Sequence, residues 1–292
     1  MRYRIYLLFA AISLLILAIA CDNFSEDEIG TPFIGETLET TPITKNESLQ
    51  RVLLEDYTGW KCPNCPKAAV ISANLLSQYG NVLVAMAVHT GSMSIPAAAN
   101  YNLNLRTSYG EMWENMFDIE VFPSGLINRV KSNSSYAYTN PEDWEAVIAE
   151  RSQREHILDI NLGVKLNSDT TKIIVSTENK ALADIDFPML INVVVLESDI
   201  EGVQLNGDAT YGDTPKINNY KFNHVLRTNG RIDFPLTSDK TNSGATINKN
   251  YFIDIPLKED KTHLWNLDNC AVVVFVTNAE TNEVIQVNEI EL

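Results

Sequence analysis

The chain has 292 residues, of which 45% are hydrophobic, and this length and composition suffice for two hydrophobic cores. Its formal net charge is −16, which argues against nucleic-acid binding because nucleic acids bind basic surfaces. The starting expectation is therefore an acidic protein of two domains.

The N-terminus has the pattern of a lipoprotein signal peptide, predicted over residues 1–20. Two arginines precede an apolar run at 5–20, which is shorter than the roughly 20 residues that a membrane-spanning helix needs. The run ends in Ala-Ile-Ala-Cys, which resembles a bacterial lipobox. On this resemblance Cys21 is lipidated and anchors the chain to the outer membrane through acyl chains. The alternative is an ordinary signal peptide followed by a chance cysteine.

The segment that follows, residues 21–42, is acidic and polar, and we predict a disordered tether there. Ser25-Glu26-Asp27-Glu28 loosely resembles the surface-export signals of Bacteroidota lipoproteins. Both a periplasmic and a cell-surface location stay open.

The centre of the sequence is a pair of cysteines three positions apart, Cys62 and Cys65, in the motif Cys-Pro-Asn-Cys. The apolar run that begins at Val52 predicts a buried strand before the motif. The spacing of apolar residues over 67–79 predicts a helix after it, with Gly80 at its C-terminal cap. A second apolar strand follows at 82–88, so the pattern predicts a right-handed β–α–β unit.

This context favours a dithiol or disulfide site. Residues i and i+3 on the first turn of a helix share one face, so the two sulfurs can bond without backbone movement. The positive end of the helix dipole favours a thiolate at Cys62, which we predict as the exposed nucleophile, with Cys65 as the resolving thiol. Pro63 suits the first helical position, whereas Pro66 predicts an irregular first turn.

These residues resemble the thioredoxin superfamily. Asp56 lies six positions before Cys62, where the resemblance implies a buried acid that assists proton transfer at the resolving cysteine. Pro123 resembles the cis-proline of the family, which packs opposite the dithiol. The backbone of Phe122 would then pair with a substrate peptide, and Trp60 would contribute to substrate binding.

A narrower resemblance rests on Leu54–Pro66, on Val88-His89-Thr90-Gly91 and on Phe122–Arg129. These segments are similar to the outer-membrane-protein-28-related lipoproteins of Bacteroidota. The resemblance implies an α/β thioredoxin-like domain, placed at 43–153, and then a β-sandwich.

From residue 157 onward, apolar and polar residues alternate with a period of two, as in half-buried strands. The sequence predicts seven strands, at 157–166, 172–177, 190–197, 221–226, 251–257, 271–277 and 284–290. We read residues 154–292 as an all-β immunoglobulin-like sandwich. The stretch 201–216 is rich in Gly, Asp and Asn and reads as a long loop.

Two further residues carry chemistry. His89 ends the second predicted strand, where hydrogen bonding to loop backbone is the plain interpretation and a role near the dithiol is the alternative. Cys270 precedes an apolar strand and reads as a buried free thiol. No ligand set has metal-like spacing, so we expect neither a metal nor a cofactor.

Two functions remain open. The first is thiol–disulfide exchange with protein thiols or disulfides of the cell envelope, carried by Cys62, Cys65, Asp56 and Pro123. The second is a surface binding or adhesion lipoprotein in which the thioredoxin fold is a scaffold and the disulfide is structural.

Overall fold

A computed structural model of the chain describes residues 40–44, 47–97, 103–132, 134–227 and 230–292. Cys21, the signal segment 1–20 and most of the tether 21–42 lie outside the described residues. The described residues include four α-helices: α1 (Cys65–Tyr79), α2 (Gly91–Ser94), α3 (Ser108–Met116) and α4 (Trp144–Ser152).

The strands of the described residues form three sheets. They are β1 (Val52–Thr58), β2 (Leu83–His89), β3 (Ser124–Ile127), β4 (Leu158–Leu166), β5 (Lys172–Ala181), β6 (Met189–Glu197), β7 (Ile200–Leu205), β8 (Lys216–Phe222), β9 (Val225–Leu226), β10 (Arg231–Thr237), β11 (Thr246–Asp254), β12 (Cys270–Asn278) and β13 (Val284–Glu291). The protein is thus a mixed α/β structure with several β-sheets.

The predicted β–α–β unit is confirmed. β1 and β2 are parallel over their full length, from the Val52–Leu83 pair to the Thr58–His89 pair, and α1 connects them. All seven residues of β1 are buried, because the strand is covered on both faces of the sheet. β3 pairs antiparallel to the other side of β1.

The start of α1 differs from the prediction. The helix begins at Cys65 with Asn64 as its N-cap, so Pro66 stands in the first turn and Pro63 lies before the helix. Pro66 is accommodated because the first N–H groups of a helix have no partner within the helix. Gly80 caps the C-terminus as predicted, and its N–H donates to the Leu76 carbonyl.

The sheet that contains the β–α–β unit continues into the C-terminal half of the chain. β9 pairs with β2 through Val225 and Ala87, and the strand order is β13-β12-β6-β9-β2-β1-β3, with β10 also on β6. A second sheet, in the order β11-β5-β4, and a separate hairpin of β7 and β8 complete the fold.

The alternation of side chains along β6 explains how the layers pack. Val193 and Val195 belong to a core shared with residues of β4, β5 and β11, so the large sheet and the second sheet face each other. Val194 and Leu196 point to the opposite face and join a core that includes residues of β1, β2 and α3. Since both faces of β6 are covered, its sequence is apolar at consecutive positions.

The C-terminal strands were predicted incompletely. The predicted loop at 201–216 contains most of β7 and a short 3-10 turn at Ala209–Tyr211. The predicted strand at 221–226 is interrupted between β8 and β9, where His224 has a φ of 54°. β10 was not predicted at all.

A buried ion pair joins β1 to the segment that follows β3. Arg129 donates two hydrogen bonds of 2.8 Å to the carboxylate of Glu55, and both side chains are almost fully excluded from solvent. The guanidinium carbon of Arg129 lies 4.6, 4.9 and 5.0 Å from the ring centroids of Trp113, Phe117 and Phe275, respectively. Because Phe275 belongs to β12, this cluster ties the β–α–β unit to the C-terminal half of the chain.

Candidate functional site

Cys62 and Cys65 form a disulfide at the entrance to α1, and their Cα atoms are 5.4 Å apart. Two successive turns shape the motif: the Cys62 N–H donates to the Gly59 carbonyl at 3.0 Å, and the Cys65 N–H donates to the Cys62 carbonyl at 3.3 Å. The pairing predicted from the spacing is therefore present. However, Cys62 precedes the helix and does not lie on its first turn.

The cysteine pair is buried, with 1% of Cys62 and 2% of Cys65 exposed. The prediction of Cys62 as an exposed nucleophile is wrong for this disulfide state. The sequence around the motif gave no sign of this burial, because the residues that cover it come from distant parts of the chain.

The β7–β8 hairpin covers one side of the cysteine motif. Its residues Gln204 and Gly207 donate hydrogen bonds to two carbonyl oxygens of the motif, those of Cys62 (2.9 Å) and Pro63 (2.9 Å), and Leu205 donates to the carbonyl of Trp60, just before the motif (2.8 Å). No chemical motif marks these three residues, and the stretch read as a loop, so sequence reasoning missed them.

The opposite side of the motif is held by α2. The Lys61 N–H donates to the Met93 carbonyl at 3.0 Å, and the Ser94 hydroxyl donates to the Thr58 carbonyl at 3.0 Å. A Cβ atom at Gly59 would lie only 2.6 Å from the backbone of Met93. Gly59 is therefore required for this close approach of two backbone segments.

Asp56 and Cys65 line one cavity of about 130 Å³, which lies between α1, β2 and the hairpin. Burial raises the pKa of the Asp56 carboxyl from 3.8 to about 7. Its Oδ1 atom has no hydrogen-bond partner among the described residues. A carboxyl with this pKa can accept and release a proton near neutral pH, which is the chemistry that a resolving cysteine requires.

His89 lines the same cavity and is 3% exposed. Burial, together with the nearby Arg227 guanidinium, lowers the pKa of His89 to about 3, so the imidazole is neutral at physiological pH. The ring of His89 meets the edge of Phe222 at a centroid distance of 5.2 Å. The backbone of Ala87, two positions earlier in β2, acts on the pKa of His89 in the opposite direction. Hydrogen bonding of His89 to loop backbone stays a prediction.

The remaining predicted site residues are Trp60, Phe122 and Pro123. The Phe122–Pro123 peptide bond is cis and directly precedes β3, whose first residue, Ser124, pairs with Tyr57 of β1. The ring of Phe122 packs half-buried against the core of the β–α–β unit. Trp60 donates from its indole N–H to the Ile95 carbonyl at 3.1 Å and packs beside Phe222.

The described residues contain neither a metal-binding cluster nor a membrane-spanning helix. Within those ranges no three His, Cys, Asp or Glu side chains are grouped so that they could hold a metal ion. Across the same part of the chain, no helix is long and apolar enough to cross a membrane.

Fold and site together define a mixed α/β protein in which a disulfide-bonded Cys-Pro-Asn-Cys motif opens a helix beside a buried acid. A match to the family described as Outer membrane protein Omp28 spans residues 111–292, which is more than half of the chain. The chain belongs to this family, which confirms the resemblance and associates the chain with the outer membrane. The matched residues begin after the cysteine pair, so the match does not bear on the dithiol.

Solved structures resemble the chain to different degrees. HBP35 of Porphyromonas gingivalis is 16% identical with a TM-score of 0.57, over 85% of this chain and 77% of that chain. This likeness concerns the fold alone. A protein from Agrobacterium tumefaciens is 12% identical with a TM-score of 0.46, over 84% and 96% of the two chains. A domain of the outer membrane lipoprotein Omp28 from Porphyromonas gingivalis is 17% identical with a TM-score of 0.27, over 46% and 87%. No curated protein matches the chain.

Proposed function

We propose that this protein is a cell-envelope lipoprotein that carries out thiol–disulfide exchange at Cys62 and Cys65. The observation that carries the proposal is Asp56, a buried acid with a pKa of about 7 in the cavity that Cys65 also lines. A buried carboxyl without a countercharge lowers the stability of a fold, and a purely structural disulfide needs none. Groups of this kind concentrate at sites of proton transfer.

The exchange has two steps. The Cys62 thiolate attacks one sulfur of a partner's disulfide, a mixed disulfide forms, and one partner thiolate leaves. Asp56 then accepts the proton of the Cys65 thiol, and the Cys65 sulfur attacks Cys62 and expels the second partner thiolate. The Cys62–Cys65 pair loses two electrons and the partner's disulfide gains them. The reverse sequence oxidises a partner, and the direction follows from the difference between the two reduction potentials.

The other parts of the proposal concern placement. Trp60, the Phe122 backbone and Pro123 would contact the partner's peptide, and the lipid on Cys21 would hold the chain at the outer membrane, facing the periplasm or the cell surface. The thioredoxin-like domain at 43–153 would carry the chemistry. We propose an immunoglobulin-like sandwich for residues 154–292, where two sheets share one core.

A second function is favoured by the burial of Cys62. A disulfide that is 1% exposed at its first cysteine is protected from partners, as in a structural crosslink. On this alternative the protein is an outer-membrane or surface binding lipoprotein, and the thioredoxin-like fold is its scaffold.

A turnover assay distinguishes the two functions. The purified protein, supplied with dithiothreitol, is tested for reduction of insulin disulfides, and its reduction potential is measured by glutathione-buffered titration with thiol alkylation. If the protein carries out thiol–disulfide exchange, it should turn over insulin. Cys62→Ser should abolish this turnover, and the matched control Cys270→Ser should retain it. The scaffold function predicts no turnover and a potential below about −300 mV, which is typical of structural disulfides.

A further inference from the structure

Gln204 connects the β7–β8 hairpin to the cysteine motif through its side chain, and it is 2% exposed. Its amide nitrogen lies 2.9 Å from the Cys62 carbonyl and 3.3 Å from the Gly59 carbonyl. It also donates to the carbonyl of Leu205 at 3.0 Å. One side-chain amide, 142 positions from Cys62, therefore bridges a carbonyl group of the motif and one of the turn that leads into it.

These two carbonyls define the conformation of the motif. The Gly59 carbonyl accepts from the Cys62 N–H, and the Cys62 carbonyl accepts from the Cys65 N–H. The first bond closes the turn that follows β1, and the second closes the turn between Cys62 and Cys65. Because Gln204 bonds to both acceptors, it holds the two turns together.

The backbone of the hairpin makes this contact rigid. Leu205 and Gly207 each donate a hydrogen bond to the motif on either side of the Cys62 carbonyl. The side chain of Asn206, which is also buried, donates to the carbonyls of Asp208 and Gly212 and so braces the tip of the hairpin. Gln204 is thus held in place by groups other than its own side chain.

Gln204 also lines the cavity that Asp56, Cys65 and His89 share. The loss of a hydrogen bond from a buried side chain is costly, because the carbonyl groups that it served lose their protein donor. A change at Gln204 therefore acts directly on the backbone that carries the dithiol.

We infer that Gln204 is a positioning residue of the dithiol: it holds the Cys62–Cys65 turn in the closed geometry of the disulfide and so shifts the redox equilibrium toward the oxidised form. This inference rests on the proposed function, since it concerns the same dithiol. If Gln204 acts in this way, the redox equilibrium of the dithiol depends on the C-terminal half of the chain as well as on the β–α–β unit.

The test is Gln204→Met, which keeps the length of the side chain and removes the donor. We expect its equilibrium with glutathione to move toward the dithiol by about fivefold, the net effect of roughly one hydrogen bond. For a two-electron couple this corresponds to a potential about 20 mV less negative. Gln204→Asn, whose amide is one methylene shorter, is the second variant and should shift in the same direction. The matched control is Asn218→Ala, at an exposed position of the same hairpin, which should leave the equilibrium unchanged.

Thermal unfolding of both redox forms separates positioning from a general structural role. If Gln204 positions the disulfide, Gln204→Met lowers the melting temperature of the oxidised protein more than that of the reduced protein. Equal losses in both forms, with an unchanged glutathione equilibrium, would overturn the inference. Failure of the proposed function looks different: insulin turnover is then absent from the unmodified protein, whether or not Gln204→Met shifts the equilibrium.

Discussion

Replacing Asp56 by asparagine should stabilise the protein at alkaline pH and slow its chemistry. The pKa of Asp56 is raised from 3.8 to about 7 by burial, so the folded state favours the protonated acid. Between these two values the folded protein holds a proton that the unfolded chain has released. The free energy of unfolding therefore falls as pH rises from about 4 to about 7, and the loss is complete above pH 7.

The size of the effect follows from the same difference. A pKa difference of about three corresponds to roughly 4 kcal/mol of lost stability at pH 8. Asparagine has nearly the same shape and no charge, so it escapes this penalty, although its amide also has to be buried. We expect Asp56→Asn to be more stable than the unmodified protein by about 2–4 kcal/mol at pH 8, and by much less at pH 4.5.

Urea unfolding of the oxidised protein at pH 4.5, 6 and 8 measures this difference directly. Asp268→Asn, at an exposed position, serves as the matched control and should change stability little at any of these pH values. Under the proposed function, insulin turnover by Asp56→Asn should fall by about 10²-fold near neutral pH, because the proton acceptor for Cys65 is lost. The reasoning is refuted if Asp56→Asn is less stable than the unmodified protein at pH 8, or if the difference is the same at all three pH values.

Three further predictions test the surroundings of the site. The pKa of His89 is lowered from 6.5 to about 3, so only the unfolded chain gains a proton as pH falls through this range, and stability declines. Between pH 7 and pH 3, the free energy of unfolding of His89→Phe, measured with urea, should fall by roughly 4 kcal/mol less than that of the unmodified protein. An unchanged pH dependence would contradict the burial argument. Arg129→Met should destabilise the protein by about 3–5 kcal/mol because Glu55 is left as an unpaired buried charge, whereas Arg129→Met combined with Glu55→Leu should recover most of the loss. Burial raises the pKa of the Cys270 thiol to about 12, so iodoacetamide at pH 8 should label Cys270 only after denaturant is added; rapid labelling of the native protein would refute this.

The elements nearest the cysteines were predictable from the sequence because local patterns determine them. The apolar run of β1, the helical spacing after Cys65 and the glycine at position 80 each act over a few residues, and the structure contains all three features. Asp56 could be placed by its distance from Cys62 in the resemblance. Its raised pKa required the structure, because one wall of the cavity comes from Gln204 and residues 220–224, more than 100 positions away.

The hairpin shows why the rest could not be predicted. Residues 201–216 carry the Gly, Asp and Asn content of a loop, and local propensity is weak there. β7 exists because it pairs with β8 and because Gln204 and Leu205 bond to the cysteine motif. No periodicity within the hairpin encodes those partners. The same distant contacts bury Cys62. Two wrong predictions, an exposed Cys62 and a loop at 201–216, therefore have a single cause.

The pairing of β2 with β9 sets an order of events for a chain that folds from its N-terminus. Until Val225 is available, β2 has an unpaired edge beside Ala87, and before Gln204 arrives the cysteine motif has no hairpin above it. During that interval oxidants and folding catalysts have free access to both thiols. Completion of the C-terminal half covers the cysteine pair, so under the proposed function exchange by the complete chain requires part of this cover to open.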